Sequence, residues 1–114
     1  MKYMLLICED PAARPTDAGE AEAMTKEYGV FTENIAASGE LVAGERLAGV
    51  DTATSVRLRD GKRTLTDGPF AETAEQLGGF YIVDVPNLDR ALELAAQLPA
   101  SRSGVIEVRP IWEM

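Results

Sequence analysis

Thr54-Ser55-Val56-Arg57-Leu58-Arg59-Asp60-Gly61-Lys62-Arg63-Thr64-Leu65-Thr66 is the stretch from which the fold can be worked out. Its two arms alternate in the two-residue period of a β-strand, and they meet at Asp60-Gly61. An Asp-Gly pair between such arms makes a two-residue hairpin turn, because both residues tolerate positive φ. Pairing across that turn sets Leu58 opposite Arg63 and Val56 opposite Leu65. The other face then carries Arg57, Arg59, Lys62, Thr64 and Thr66 and is basic.

Working outward, the hairpin is flanked by two further strands. Residues 40–48 suggest one, with Gly44 blurring its limits, and residues 77–85 form the other, rich in β-branched and aromatic side chains. Between hairpin and second strand, Asp67-Gly68-Pro69-Phe70 is a turn by composition, and Ala71–Gln76 suggests a short helical turn. Beyond the strands lie two helices. Asp17 is placed as an N-cap with Glu20 three residues on, and Met24, Tyr28, Phe31 and Ile35 share one helical face that ends near Gly39. Asn87 caps the second helix, whose expected apolar face is Leu88, Ala91, Leu92, Ala95 and Leu98, and Pro99 stops it.

Outermost are residues 2–9, a short run apolar on both faces and closed by Glu9-Asp10-Pro11, and residues 104–112, an alternating strand with Pro110 at its exit. The order is strand, helix, strand, hairpin, strand, helix, strand. It predicts one α+β domain over residues 1–114, a ferredoxin-like βαββαβ sandwich with an inserted β-hairpin. Both helices would cover one sheet face. The apolar residues on both faces of the first strand therefore predict a homodimer packed sheet to sheet.

Composition narrows the chemistry. There is no histidine in the 114 residues, which removes Ser-His and Cys-His pairs, histidine-ligated zinc and proximal-histidine haem. One cysteine, Cys8, excludes an internal disulfide and a cysteine metal cluster. No metal and no cofactor are expected. The net charge of −8 opposes binding to nucleic acid or to an anionic membrane. Residues 17–45 hold seven acids and one base, whereas residues 46–114 hold ten acids and eight bases, so an anion site belongs in the second part. The six-residue apolar run Tyr3–Cys8 is too short for a signal-peptide core or a membrane span, and with the lone cysteine it points to a cytoplasmic location.

Five blocks resemble a known family. They are Met1-Lys2-Tyr3-Met4-Leu5-Leu6, Gly44-Glu45-Arg46-Leu47, Asp67-Gly68-Pro69-Phe70-Ala71-Glu72-Thr73, Gln76-Leu77-Gly78-Gly79-Phe80 and Glu107-Val108-Arg109-Pro110-Ile111-Trp112-Glu113-Met114. In this order, and over nearly the whole chain, they resemble the DGPF branch of the YCII-related proteins. The resemblance implies a dimeric α+β barrel of ferredoxin-like subunits, a branch without an assigned reaction, and genomic companionship with extracytoplasmic-function sigma factors. Two departures stand out. The histidine–aspartate pair of YCII-related relatives has no histidine here, and the usual Glu-Thr-Lys-Glu after the motif reads Glu72-Thr73-Ala74-Glu75.

The candidate catalytic residue is Asp67, either a general acid–base at the mouth of a pocket or a carboxylate that fixes the turn before Pro69. Arg46, Tyr81 and Arg109 are the candidate substrate-binding residues. Arg46 would hold a substrate carboxylate through two parallel bonds or pair with an acid of the chain or dimer. Tyr81, like Tyr3, offers a phenolic hydrogen bond or packs with its hydroxyl satisfied. Arg109 faces a dimer cavity or a neighbouring acid. Gly78-Gly79 reads as a bulge or close backbone approach, and Cys8 as a small core hydrophobe. Two functions compete. One is a small-molecule protein, an enzyme moving a proton on a small organic acid in an isomerase- or lyase-like step. The other is a regulatory module whose acidic helix docks on a sigma factor.

Overall fold

The computed structural model describes residues 1–71 and 73–113. Glu72 of the motif and Met114 at the terminus lie outside them. In chain order the elements are β1 (Lys2–Glu9), α1 (Ala18–Ala37), β2 (Leu41–Arg46), β3 (Thr54–Arg59), β4 (Lys62–Asp67), β5 (Gln76–Asp84), α2 (Leu88–Gln97) and β6 (Val105–Pro110). Strands β2, β5, β1 and β6 form one antiparallel sheet in that spatial order, and β3 and β4 form a separate two-stranded sheet. This mixed α+β arrangement is compatible with a ferredoxin-like fold.

The local signals act where the chemistry places them. The Asp17 carboxylate accepts from the Gly19 N–H at 3.2 Å and starts α1. Gly39, at φ +80°, lets the chain leave the helix, and the Glu40 N–H reaches back to the Ile35 carbonyl at 2.9 Å. Asn87 caps α2 by accepting from the Arg90 N–H. In the two-stranded sheet, Asp60 and Gly61 both take positive φ, Leu58 pairs with Arg63, and Val56 with Leu65.

Cross-strand pairs sort the main sheet into two faces, since directly paired residues point the same way. Tyr3, Leu5, Ile7 and Val83 point to the helices and are buried with Phe31 and Ile35 of α1 and Ala91, Leu94 and Ala95 of α2. The opposite face is uncovered. Its rows across β2, β5, β1 and β6 are Ala43–Ile82–Met4–Arg109 and Glu45–Phe80–Leu6–Glu107. The apolar members of these rows are only half-buried.

Three expectations are corrected. The buried stripe of α2 is Ala91, Leu94, Ala95 and the following Leu98, because spacings of three and four keep these on one face. Leu88 and Leu92 lie at its margin and are exposed. Among the described residues of 71–76 there is no helical turn. Gln76 instead opens β5, and its side-chain amide donates to the Ala71 and Thr73 carbonyls. Cys8 is half-buried on the uncovered face beside Leu77 and Val105, since it alternates with the inward-facing Ile7. No helix among the described residues is long and apolar enough to cross a membrane.

Candidate functional site

The same alternation that buries Leu5 and Ile7 builds a cleft. Along the helix-facing side of the sheet, Gly44 pairs with Tyr81 and Arg46 with Gly79. Glycine at three floor positions, 44, 78 and 79, leaves room that ordinary strand residues would fill. The result is a cavity of about 420 Å³ beneath α1, within the size range of small-molecule sites. Met24, Tyr28 and Thr32 of α1 form its wall, and Arg14 and Pro15 of the loop after β1 stand at its rim.

Two of the glycines have specific reasons. A β-carbon at Gly79 would meet the Glu45 carbonyl at 2.9 Å, so only glycine lets β2 approach β5 there. Gly78 is the extra residue where β5 slips against Ile7–Cys8. A β-carbon at Gly78 would make ordinary contacts, 3.5 Å from an Arg14 guanidinium nitrogen and 3.6 Å from Glu9 Oε1. It would occupy the cleft.

Polar groups are few and convergent. The Tyr81 hydroxyl and Thr32 Oγ1 are 2.7 Å apart, and Thr32 also donates to the Tyr28 carbonyl at 2.8 Å. With Thr32 Oγ1 giving its proton to that carbonyl, the Tyr81 hydroxyl is the donor of the pair. The Tyr81 ring is fixed edge-on against Phe31, with centroids 5.2 Å apart. Burial, then the Glu9 charge, pushes the Tyr28 phenol above its ordinary range, so it stays protonated at neutral pH. Arg14 Nε is buried without a hydrogen-bond partner, 3.4 Å from Glu9 Oε1. Arg46 has no carboxylate within ion-pair distance among the described residues. The cleft thus joins an apolar body, phenols and one uncommitted guanidinium, a set that suits a small molecule with a carboxylate.

Of the residues expected from sequence, Arg46 and Tyr81 come together here. Asp67 does not line the cleft. It ends β4 opposite Thr54, exposed, and the turn after it is held by Gly68 N–H to the Ala53 carbonyl (2.8 Å) and Ser55 Oγ to the Gly68 carbonyl (2.8 Å). Arg109 sits on the opposite sheet face, 2.6 Å from Glu107. Arg14, Glu9 and Thr32 were not singled out by sequence. Their signal lies in a tertiary meeting of a loop, a strand end and a helix, which no local spacing encodes. No group of metal-ligating side chains is found among the described residues.

The model of the YCII-related domain matches residues 1–114. An uncharacterized protein of Rhizobium meliloti (strain 1021) is 36% identical over 114 residues, spanning 97% of this chain and 92% of its own. With a family match from end to end and a relative of that similarity, the chain belongs to the YCII-related domain family.

Proposed function

We propose that this protein binds a small organic acid in the cleft beneath α1, with Arg46 holding the carboxylate and Tyr81 donating a hydrogen bond. The observation that carries the reading is the pairing of an uncommitted Arg46 with a glycine-floored cavity of about 420 Å³. Arg46 is exposed at the cleft, where its planar guanidinium can meet a carboxylate through two parallel hydrogen bonds. The finer reading is a proton transfer on the bound acid, as in an isomerase or lyase step. It draws support from the Glu9 carboxylate and the protonated Tyr28 phenol in the same cleft. Asp67 and Arg109 lie away from the cleft and are assigned no role in this reading.

A second copy of the chain covering the open sheet face belongs to the same reading. Half-exposed Met4, Leu6, Phe80 and Ile82 form a contiguous apolar surface there.

The test is a thermal-shift screen against small organic acids, ring lactones and phenolic acids. A ligand at about 100 times its Kd adds roughly 2.7 kcal/mol, a shift of several degrees for a domain this size. The shift is expected to vanish in Arg46→Ala and in Gly78→Leu, and to persist in Asp67→Asn. A shift that survives both cleft variants, or a screen with no hit, overturns the assignment. For the proton step, solvent deuterium entering the bound acid is followed by NMR and is expected to stop in Glu9→Gln.

A further inference from the structure

The β3–β4 hairpin stands away from the rest of the molecule. Among the described residues, neither strand makes more than marginal contact with a helix or strand other than its hairpin partner. The radius of gyration is 16.0 Å, against about 13 Å for a compact domain of about 100 residues. Yet the arm is not polar throughout. Val56, Leu58 and Leu65 share one face and are 61%, 65% and 56% exposed. A two-stranded hairpin alone is marginally stable in water, and an apolar face of this kind marks a contact surface.

Charge identifies the occupant. The arm, residues 54–67, carries four bases (Arg57, Arg59, Lys62, Arg63) against two acids (Asp60, Asp67), leaving seven bases against seventeen acids in the rest of the chain. None of the four bases has an ion-pair partner among the described residues. A basic protein would be repelled by the arm, and a nucleic acid by the acidic body. A second copy of this chain satisfies both. Its uncovered sheet face has an apolar centre at Phe80 and Leu6, with Glu45, which has no ion-pair partner among the described residues, at one end of the same row and Glu107, already paired with Arg109, at the other. Arg63, beside Leu58 on the apolar face, is the cation that matches the acidic edge at Glu45.

We propose that the β3–β4 hairpin is a dimerisation arm. Its Val56/Leu58/Leu65 face packs against a second copy and extends the interface beyond the sheet, with Arg63 at that copy's Glu45 edge. The relation is reciprocal, as two-fold symmetry requires, so each body receives one arm. This rests on the reading that a second copy covers the open face.

The test is sedimentation velocity over a concentration series on the full chain, wild type beside Leu58→Ser/Leu65→Ser. Both residues are already exposed in the single chain, so the variant keeps its own fold, checked by circular dichroism. The dimer is expected to weaken at least about tenfold, since each buried leucine lost carries that much or more. In parallel, a photo-reactive phenylalanine analogue at position 58 is expected to yield a covalent dimer, and one at position 57 is not. A wild-type dimer unchanged by the double substitution, with no covalent dimer from position 58, overturns the arm and leaves the sheet-face dimer standing. A wild-type monomer at high concentration overturns both.

Discussion

The Tyr81 ring lies directly over Gly44, so close that a β-carbon there would fall 2.7 Å from Tyr81 Cδ1. Glycine on β2 is therefore what seats the ring against Phe31 and brings its hydroxyl to Thr32. Gly44→Ala forces the ring to move and breaks that seat, at a cost of about 1–3 kcal/mol by the measure of overpacked cores. Urea unfolding checks the size. Tyr81→Leu should relieve much of the penalty in the double variant, giving a coupling well outside additivity.

Glu40 and Arg90 join the start of β2 to α2 through two hydrogen bonds, Nε to Oε2 at 2.8 Å and a terminal guanidinium nitrogen to Oε1 at 3.0 Å. Hydrogen bonding from Arg90 first, and from Ser38 second, lowers the Glu40 carboxyl to about 2. A carboxyl depressed in the folded state adds stability above its unfolded pKa, near 4.5, and the gain fades as pH falls toward about 2. Glu40→Ala is expected to lower Tm at pH 7 by about 5 °C, the shift for roughly 1 kcal/mol in a domain this size, because the Arg90 side chain is partly exposed and screened. Scanning calorimetry from neutral to strongly acidic pH should show the two proteins converging. A constant gap would mean the pair does not titrate as described.

Leu94 and Leu92 are two residues apart on α2 with opposite fates, 1% and 47% exposed. Leu94→Ala leaves a cavity against β1 and should cost about 2–5 kcal/mol. Leu92→Ala should stay within about 1 kcal/mol, as expected of a site away from the core. Denaturant midpoints at unchanged m-value would separate them.

Cys8 is reachable but unreactive by design of its surroundings. Burial first, then the charges of Glu107 and Glu75, pushes its thiol above the ordinary value. Iodoacetamide labelling should be slow at neutral pH and rise only at alkaline pH. Glu107→Gln should speed it at a given pH. Labelling as fast as that of a free cysteine thiol at pH 7 would refute the shift.

Much of the fold was legible because it depends on short-range physics. Asp60-Gly61 favours one tight turn between alternating arms, Asp17 and Asn87 offer their carboxylate or amide oxygen to the following N–H groups, and Gly39 takes a φ that other residues rarely adopt. The register across the hairpin follows from the turn alone, so Leu58 meets Arg63 with no tertiary information. What sat opposite each strand of the main sheet was not encoded this way. Asp67 stands in the most conspicuous motif, and only the tertiary structure shows it exposed at the end of β4, away from the cleft.

The same holds within the cleft. Arg46 and Tyr81 could be named from residue type, but their shared face depends on how β2 slips against β5 between Leu41 and Ala43. Arg14 and Glu9 meet through the path of a loop, and Thr32 meets Tyr81 across 49 residues of chain. Sequence by itself determined most of the elements, their caps and the net negative charge, because those rest on backbone geometry and on summed charge. Which side chains share a cavity was decided only by tertiary packing, because strand register and helix docking set distances that local patterns leave free.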